Sequence, residues 1–230
     1  MSRYRSSDEV RAENVAKMGA RLGTVYHALT NECTWLHLKW REYTQLFGTS
    51  RERVDLLNTA AGSFFRIVQD VMWEDLLLHI ARLADPPKSA GKENLTIRAL
   101  PGLIDNAALR SEVERALDLA VERSAFARDW RKRHIAHRDL ALAVDDGASP
   151  LQAASQAQVT SALESIGDVL NRVELHFSGG TVAYEFADTL QGAEALLYVL
   201  RDGVGVDRSR RERLRSGRPT EEDIGPQPPL

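Results

Sequence analysis

The chain has 230 residues, a formal net charge of −3 and 43% hydrophobic residues. This is an ordinary globular composition with room for one sizeable core, and its near-neutral charge excludes any whole-protein argument for binding nucleic acid. One cysteine, Cys33, excludes an intrachain disulfide framework, and its apolar neighbours predict a buried, unreactive thiol. No apolar signal sequence and no run of about 18 apolar residues is present, so we expect a cytoplasmic protein that does not contact a membrane.

Hydrophobic residues spaced three and four apart predict helices along most of the chain. The stretch "GTVYHALTNECTWLHLKWREYTQLFG" is the first, and we expect it to end at Gly48. The second, residues 51–85, is about 50 Å long for a rise of about 1.5 Å per residue. Its apolar positions form one predicted buried stripe: Val54, Leu57, Ala61, Phe64, Phe65, Val68, Val71, Met72, Leu76, His79 and Leu83.

Residues 86–105 contain prolines and glycines and interrupt the helices, with one short helix expected in "TIRALPGLID". A second long helix is predicted over residues 107–143, another over 155–177 and a last one over about 191–200. "TVAYEF" alternates weakly and suggests a short extended piece. The pattern predicts an all-α antiparallel helical bundle with long helices, in which residues 1–206 form a single domain and residues 207–230 a flexible basic and proline-rich tail.

The segment "WRKRHIAHRDL", residues 130–140, concentrates basic side chains. Like charges three or four residues apart repel on a helix, so the cluster indicates a placed group, and guanidinium groups are suited to bind phosphate bidentately. An ordinary helix end with His134 and His137 as a capping pair is the competing interpretation. A metal site is weaker still, because a third ligand is missing and arginines repel a cation. Over residues 128–138 the basic residues are Arg128, Arg131, Lys132, Arg133 and Arg138, against Asp129 alone.

Several blocks in order resemble one known family. They are "GTVYHALTNECTWLHLKWREYTQLFG", "LLNTAAGSFF", "DVMWEDLLLHIARLAD", "NLTIRAL" and "WRKRHIAHRDL", and they cover most of residues 20–200. Together they are similar to the AbiU-like, abortive-infection branch of the HEPN superfamily, whose short motif is an arginine followed by a histidine after four to six residues.

The resemblance implies that the motif arginine is Arg131 and the motif histidine is His137. In nuclease members, two such motifs meet across a homodimer to form a metal-independent site that needs no cofactor. There the arginine binds the scissile phosphate, the histidine transfers protons, and the ribose 2′-hydroxyl attacks, so RNA is cleaved and DNA is not. Lys132 departs from the polar residue that commonly follows the arginine. On a straight helix Arg131 and His137 are about 120° apart, so either the helix is distorted or a second copy completes the site.

A second register pairs Arg128 with His134 across the same gap, and we rank it below the first. The supporting or phosphate-binding candidates are Arg128, Lys132, His134 and Arg138. The first functional hypothesis is an RNA-cleaving toxin or phage-defence effector, which an antitoxin protein would neutralise. The second is a catalytically silent HEPN module that binds RNA, nucleotide or a protein partner. The third is a structural helical dimer whose basic cluster binds an acidic partner.

Other notable residues receive structural interpretations. His79 lies on the apolar stripe, so we predict a hydrogen-bonded core histidine. Arg82 and Asp85 form either an ion pair at a helix end, which we favour, or a charged pair near the site. The six arginines between Arg208 and Arg218 either add salt-dependent RNA affinity or keep the end of the chain soluble. The tryptophans are predicted to be core or dimer-interface residues: Trp35, Trp40, Trp73 and Trp130.

Overall fold

The computed structural model describes residues 5–137, 139–144, 147–187 and 191–225. Its helices begin and end where side chains satisfy the free backbone groups of the first and last turns. Ser155 caps one of the longest in a capping box with Gln158, and Gly179 ends it at φ 70°, a left-handed conformation that suits glycine. The α-helices are α1 (Ser7–Met18), α2 (Ala20–Tyr43), α3 (Arg51–Leu83), α4 (Ala107–Arg123), α5 (Ala125–Trp130), α6 (Leu140–Ala143), α7 (Gln156–Ser178), α8 (Ala193–Arg215) and α9 (Glu221–Ile224).

The all-α prediction is confirmed. Within the described ranges the sheet content is one hairpin, β1 (Lys88–Ser89) and β2 (Lys92–Glu93), which pair antiparallel. Where one short helix was expected after the hairpin, two 3₁₀ helices follow each other, Ile97–Ala99 and Pro101–Leu103. Two π-helical turns, Thr44–Gly48 and Arg131–Ile135, continue α2 and α5. The helix predicted to end at Gly48 therefore does so.

The chain divides into two compact units, and the first comprises Met1–Trp40 and Met72–Asp188. Its core is organised along α7, which buries one side from Val159 to Val173 and packs against α4. Helices α1 and α2 approach closely at Gly23, where an added Cβ would lie 2.4 Å from the backbone oxygen of Asn14. Only glycine therefore allows this packing distance.

The second unit comprises Arg41–Val71 and Thr189–Leu230. The carboxylate of Glu42 accepts a hydrogen bond from the backbone N–H of Ala193, at the N-terminus of α8 where a negative charge is favourable. Helix α8 extends to Arg215, so the prediction that it ends near residue 200 was too short. Residues 207–215, which the sequence analysis assigned to the tail, continue this helix, and an ion pair between Asp207 and Arg211 spans one turn of it.

The predicted stripe on α3 is only partly buried, because the helix is kinked. Ala61 has a non-helical backbone at φ −162° and ψ 66°, so the apolar positions beyond it do not continue the face that precedes it. Phe65 is buried, but Phe64 and Val71 are 60% and 61% exposed. A continuous buried face over the whole helix was therefore a wrong prediction for these two residues and for Ala61, which is also exposed.

The second long helix is also interrupted. Helix α4 ends at Arg123 and α5 begins after Ser124, whose backbone lies at φ −90° and ψ 1°. The break removes the carbonyl of Val121 from regular helical bonding, and Arg128 Nη2 donates to it at 3.1 Å. A single helix over residues 107–143 was therefore wrong.

The segment "TVAYEF" is not extended as predicted but ends in a 3₁₀ helix, Tyr184–Phe186. The side-chain amide of Asn171 makes both hydrogen bonds to the backbone of Val182, at 2.8 and 3.0 Å. A side chain therefore satisfies the backbone groups that a partner strand would otherwise bind. The ring of Tyr184 is buried beyond this point, against Gly167.

Candidate functional site

Two of the predicted site residues, Arg131 and His134, lie on the π-helical turn after α5 and pair with acidic side chains of α3 and of the residues that follow it. Arg131 forms an ion pair with Asp85, which lies just beyond the end of α3 at Leu83. His134 lies further along the π-helical turn, with its Nε2 3.4 Å from Oε1 of Glu74 on α3. Two acidic side chains, one on α3 and one after its end, therefore hold Arg131 and His134 in place.

The Asp85–Arg131 pair is partly shielded from water. The Asp85 side chain is 18% exposed and that of Arg131 is 37% exposed. One N–H group of the guanidinium donates to the carboxylate, while arginine has five such donors in a planar fork. The carboxylate thus orients the guanidinium and leaves other donors for a ligand. Of the two alternatives for Asp85, pairing with Arg82 was favoured and is wrong, because Asp85 pairs with Arg131.

The segment that carries the motif is distorted. In the turn Arg131–Ile135 the backbone N–H of Ala136 donates to the carbonyl of Arg131 at 2.8 Å, five residues back instead of the four of an α-helix. A second hydrogen bond spans even more residues: the N–H of Asp139 donates to the carbonyl of Arg133 at 3.0 Å. The local distortion, one of the two alternatives that the motif geometry required, is therefore present.

Arg133 serves the fold and is not a free cation. Its guanidinium donates to the backbone carbonyls of Ser149 and Pro150. It also lies 3.6 Å from the carboxylates of Asp129 and Asp139. With a side chain 19% exposed, it fixes the segment before α7 to the motif. Part of the basic charge that the sequence concentrates here is therefore neutralised within the protein.

Two neighbours strengthen the same attachment. The indole N–H of Trp130 donates to the carbonyl of Gln152 at 2.8 Å. The backbone N–H of Gln152 in turn donates to Asp129 at 3.0 Å. The ring of Trp130 also meets His134 edge-on, with centroids 5.4 Å apart. These contacts restrict how far the motif segment can move away from the helices that support it.

The remaining predicted site residues are less engaged. Arg128 turns back to the carbonyl of Val121 and not toward the motif. Lys132 and His137 are exposed, and within the described ranges neither forms a hydrogen bond or an ion pair. Arg138 was also predicted to bind phosphate, and it lies outside the described residues. Arg131 and His137 make no contact with each other, so the structure does not assemble both motif residues within one chain.

The predicted core residues of the first unit are mostly confirmed. His79 is 5% exposed, and its Nε2 lies 2.7 Å from Oε2 of Glu32; burial lowers the pKa of its imidazole, against the opposing effect of the Glu32 carboxylate. Cys33 is fully buried, which raises the pKa of its thiol to about 12. Trp40 is buried as predicted, whereas Trp35 is 58% exposed and is not a core residue.

Metal ligands do not cluster in the described part of the chain: no three His, Cys, Asp or Glu residues there could hold one ion.

None of the described helices is both long and apolar enough to cross a membrane.

One known protein family matches the part of the chain that holds this motif. A family model, HEPN_AbiU2, described as AbiU2, matches residues 20–196. The chain belongs to the AbiU2 family of HEPN domains. The match includes the π-helical turn, both acidic partners and most of the first unit. No curated protein and no solved structure matches the chain.

Sequence reasoning missed two members of the site, Glu74 and the pairing of Asp85 with Arg131. No local pattern marks Glu74 on α3, or Asp85 after its end, as a partner of the motif. What the sequence does not indicate is which helix lies opposite the motif. That partner follows only from the way α5 packs in the fold.

Proposed function

We propose that this AbiU2-family protein is a metal-independent endoribonuclease, whose site combines Arg131 and His137 from two protomers of a homodimer. One observation carries the proposal. Arg131 is oriented by the shielded carboxylate of Asp85, just beyond the end of α3, while His137, six residues on, is exposed and without a partner in the described part of the chain. Family membership supports the assignment of these two positions.

The residues suit cleavage through the ribose. Other N–H groups of the Arg131 guanidinium bind the oxygens of the scissile phosphate and stabilise the charge that develops there. One imidazole takes the proton of the 2′-hydroxyl, whose oxygen bonds to phosphorus. The protonated imidazole of the other protomer gives a proton to the leaving 5′-oxygen as its bond to phosphorus breaks. The products are a 2′,3′-cyclic phosphate and a 5′-hydroxyl, and DNA lacks the nucleophile.

The geometry supports a homodimer. Arg131 is held by Asp85, whereas His137 lies beyond the π-helical turn and forms no hydrogen bond or ion pair within the described ranges. A second copy placed against the motif brings a second arginine and a second histidine to one phosphate. Symmetric dimers of this kind are the commonest oligomers. In the cell, such an activity suits an abortive-infection effector or toxin controlled by an antitoxin protein.

The test is cleavage of a defined RNA by purified protein in EDTA. We expect His137→Ala to lower the rate about 100- to 10,000-fold, as for loss of a general acid–base group, and Arg131→Ala to lower it about 100- to 1,000-fold, as for loss of transition-state charge stabilisation. His176→Ala and Arg123→Ala are matched controls, because both residues are exposed and lie away from the motif on α7 and α4. Rates equal to wild type in both motif variants would refute the assignment.

A second candidate function is a catalytically silent module that binds RNA, nucleotide or a protein partner. The specific observation in its favour is that Arg131 and Arg133 are already paired with carboxylates of the same chain, and that the exposed residue after Arg131 is Lys132. Binding without turnover, weakened by Arg131→Ala, is its expected result. If Lys132 alone suppresses cleavage, Lys132→Asn restores it, whereas a silent module stays inactive.

A further inference from the structure

The arginines near the end of α8 fall into two groups with different surroundings. Arg210 donates to the backbone carbonyl of Asp223 at 2.7 Å. Arg213 makes two hydrogen bonds to the Asp223 carboxylate, at 2.8 and 2.6 Å, and these bonds hold the pKa of that buried carboxyl far below its usual range. This first group attaches α9 to α8 and has a structural role.

The second group, Arg208, Arg211 and Arg215, has no such role. Spacings of three and four residues place the three on one face of α8. They border a groove of about 610 Å³ between α8 and the first part of α3. Arg211 pairs with Asp207 at 2.7 Å, while Arg208 and Arg215 have no ion-pair or hydrogen-bond partner within the described ranges. All three are exposed.

Apolar side chains form much of the remaining wall, with Val199, Leu200 and Val204 from α8 and Ala60 from α3. Two carboxylates, Asp207 and Glu212, also line the groove, and Asp207 is paired with Arg211. The three arginines outnumber these two acidic residues. A volume of this size falls within the range of about 300 to 1,000 Å³ that is usual for ligand sites. The arginine row spans seven residues, about 10 Å at about 1.5 Å per residue. It is therefore longer than one phosphate or carboxylate group.

We propose that this groove binds the phosphodiester backbone of single-stranded RNA, with the arginines on successive phosphates and the apolar wall against ribose and bases. Planar guanidinium groups donate bidentately to phosphate oxygens. A polynucleotide presents an anionic group at every residue whatever its sequence, whereas a peptide would match a 10 Å row only with a particular acidic sequence. The proposal concerns binding alone and stands whether or not the protein cleaves RNA.

Two glycines of α8 allow a sharp test. Gly203 borders the groove and Gly205 does not, since two residues along a helix are about 200° apart. At both positions an added Cβ meets no atom within 4 Å, and replacing glycine inside a helix favours the helix. Gly203→Glu and Gly205→Glu therefore carry the same charge and fold equally well, but only the first places a carboxylate in the groove.

The probe is a short fluorescein-labelled 2′-O-methyl oligouridine, which lacks the free 2′-hydroxyl needed for cleavage, and the readout is fluorescence anisotropy. We expect Gly203→Glu to weaken binding about tenfold through loss of phosphate contacts, and Gly205→Glu to change it less than about twofold. Equal effects of the two substitutions would overturn the proposal.

The salt dependence measures the arginine contacts directly. With about 0.7 counterions released per contact on a single strand, removing three contacts lowers the slope of log K against log salt by about 2. The variant is R208Q/R211Q/R215Q. Its matched control is R51Q/R66Q/R201Q, which removes three exposed arginines that each pair with a neighbouring carboxylate.

A slope that falls only in the groove variant supports the proposal. A slope that falls equally in both variants, or in neither, overturns it, because the binding is then either unspecific or located elsewhere. Competition with polyglutamate tests the alternative that the groove binds an acidic peptide. If it displaces the probe at equal charge concentration, and does so from wild type but not from Gly203→Glu, the groove binds peptide and the proposal is wrong.

Discussion

Breaking the Asp85–Arg131 ion pair tests whether Asp85 positions the motif arginine. An exposed pair contributes about 0.2 to 1 kcal/mol, and a hydrogen bond to a charged group about 1.5 to 3 kcal/mol. With side chains 18% and 37% exposed, this pair lies between the two classes, so we expect a coupling free energy of about 1 to 1.5 kcal/mol.

The measurement is a double-mutant cycle of Asp85→Asn and Arg131→Gln, with the free energy of unfolding obtained from urea denaturation. The control is the same cycle on Arg66 and Asp70, whose side chains are 73% and 55% exposed at a spacing of four residues. That cycle is expected to give about 0.3 to 0.5 kcal/mol. A coupling for Asp85 and Arg131 no larger than the control would refute the claim that the shielded carboxylate holds the guanidinium. Asp85→Asn should also slow RNA cleavage, since Asp85 is a positioning residue for Arg131.

Three further outcomes follow from the first unit and α8. Gly23→Ala should destabilise the protein by about 2 kcal/mol or more because the added methyl group meets backbone, whereas Gly205→Ala should stabilise it by up to about 1 kcal/mol, both by thermal or urea unfolding. Cys33 should resist iodoacetamide in the folded protein and react only on unfolding, since burial raises its pKa to about 12; labelling at the folded-state rate of a small thiol would contradict this. Burial lowers the pKa of both His37 and His79, so the unfolded chain takes up more protons than the folded chain as the pH falls below about 6.5. The free energy of unfolding should therefore decrease from pH 7 to 5, and the double variant H37Q/H79Q should flatten that decrease; an unchanged slope would rule out these histidines as its source.

The helical periodicity was sufficient to predict the fold class and most helices. It did not reveal the kink at Ala61, because the residues on either side keep a helical spacing and only the backbone departs from it. The break at Ser124 was not predicted for a similar reason. A serine and an alanine are tolerated within a helix, and the break depends on the Arg128 side chain binding the Val121 carbonyl, a contact that propensity does not encode.

The assignment of Arg131 and His137 stays a prediction that rests on the resemblance, and the sequence did not indicate which residues surround them. The density of basic residues at 128–138 suggested a group open to phosphate. Arg133 instead ties down residues 149 and 150, and Arg131 pairs with Asp85. Such pairings join segments distant in the chain, and no local pattern specifies them. The same holds for α8, where the arginines divide into a group that attaches α9 and a group that borders the groove only once α9 is in place.

The central claim is a site completed by two protomers, and mixing wild type with an inactive variant tests it most directly. The double variant R131A/H137A lacks both motif side chains, so a mixed dimer holds one arginine and one histidine where the site uses two of each. After equal amounts are mixed and subunits are exchanged at random, about one quarter of the dimers are wild type in both protomers. The account therefore predicts RNA cleavage in EDTA at about half the rate of the same amount of wild type alone. A rate equal to that of the wild type alone, with subunit exchange confirmed, would contradict a site shared between protomers.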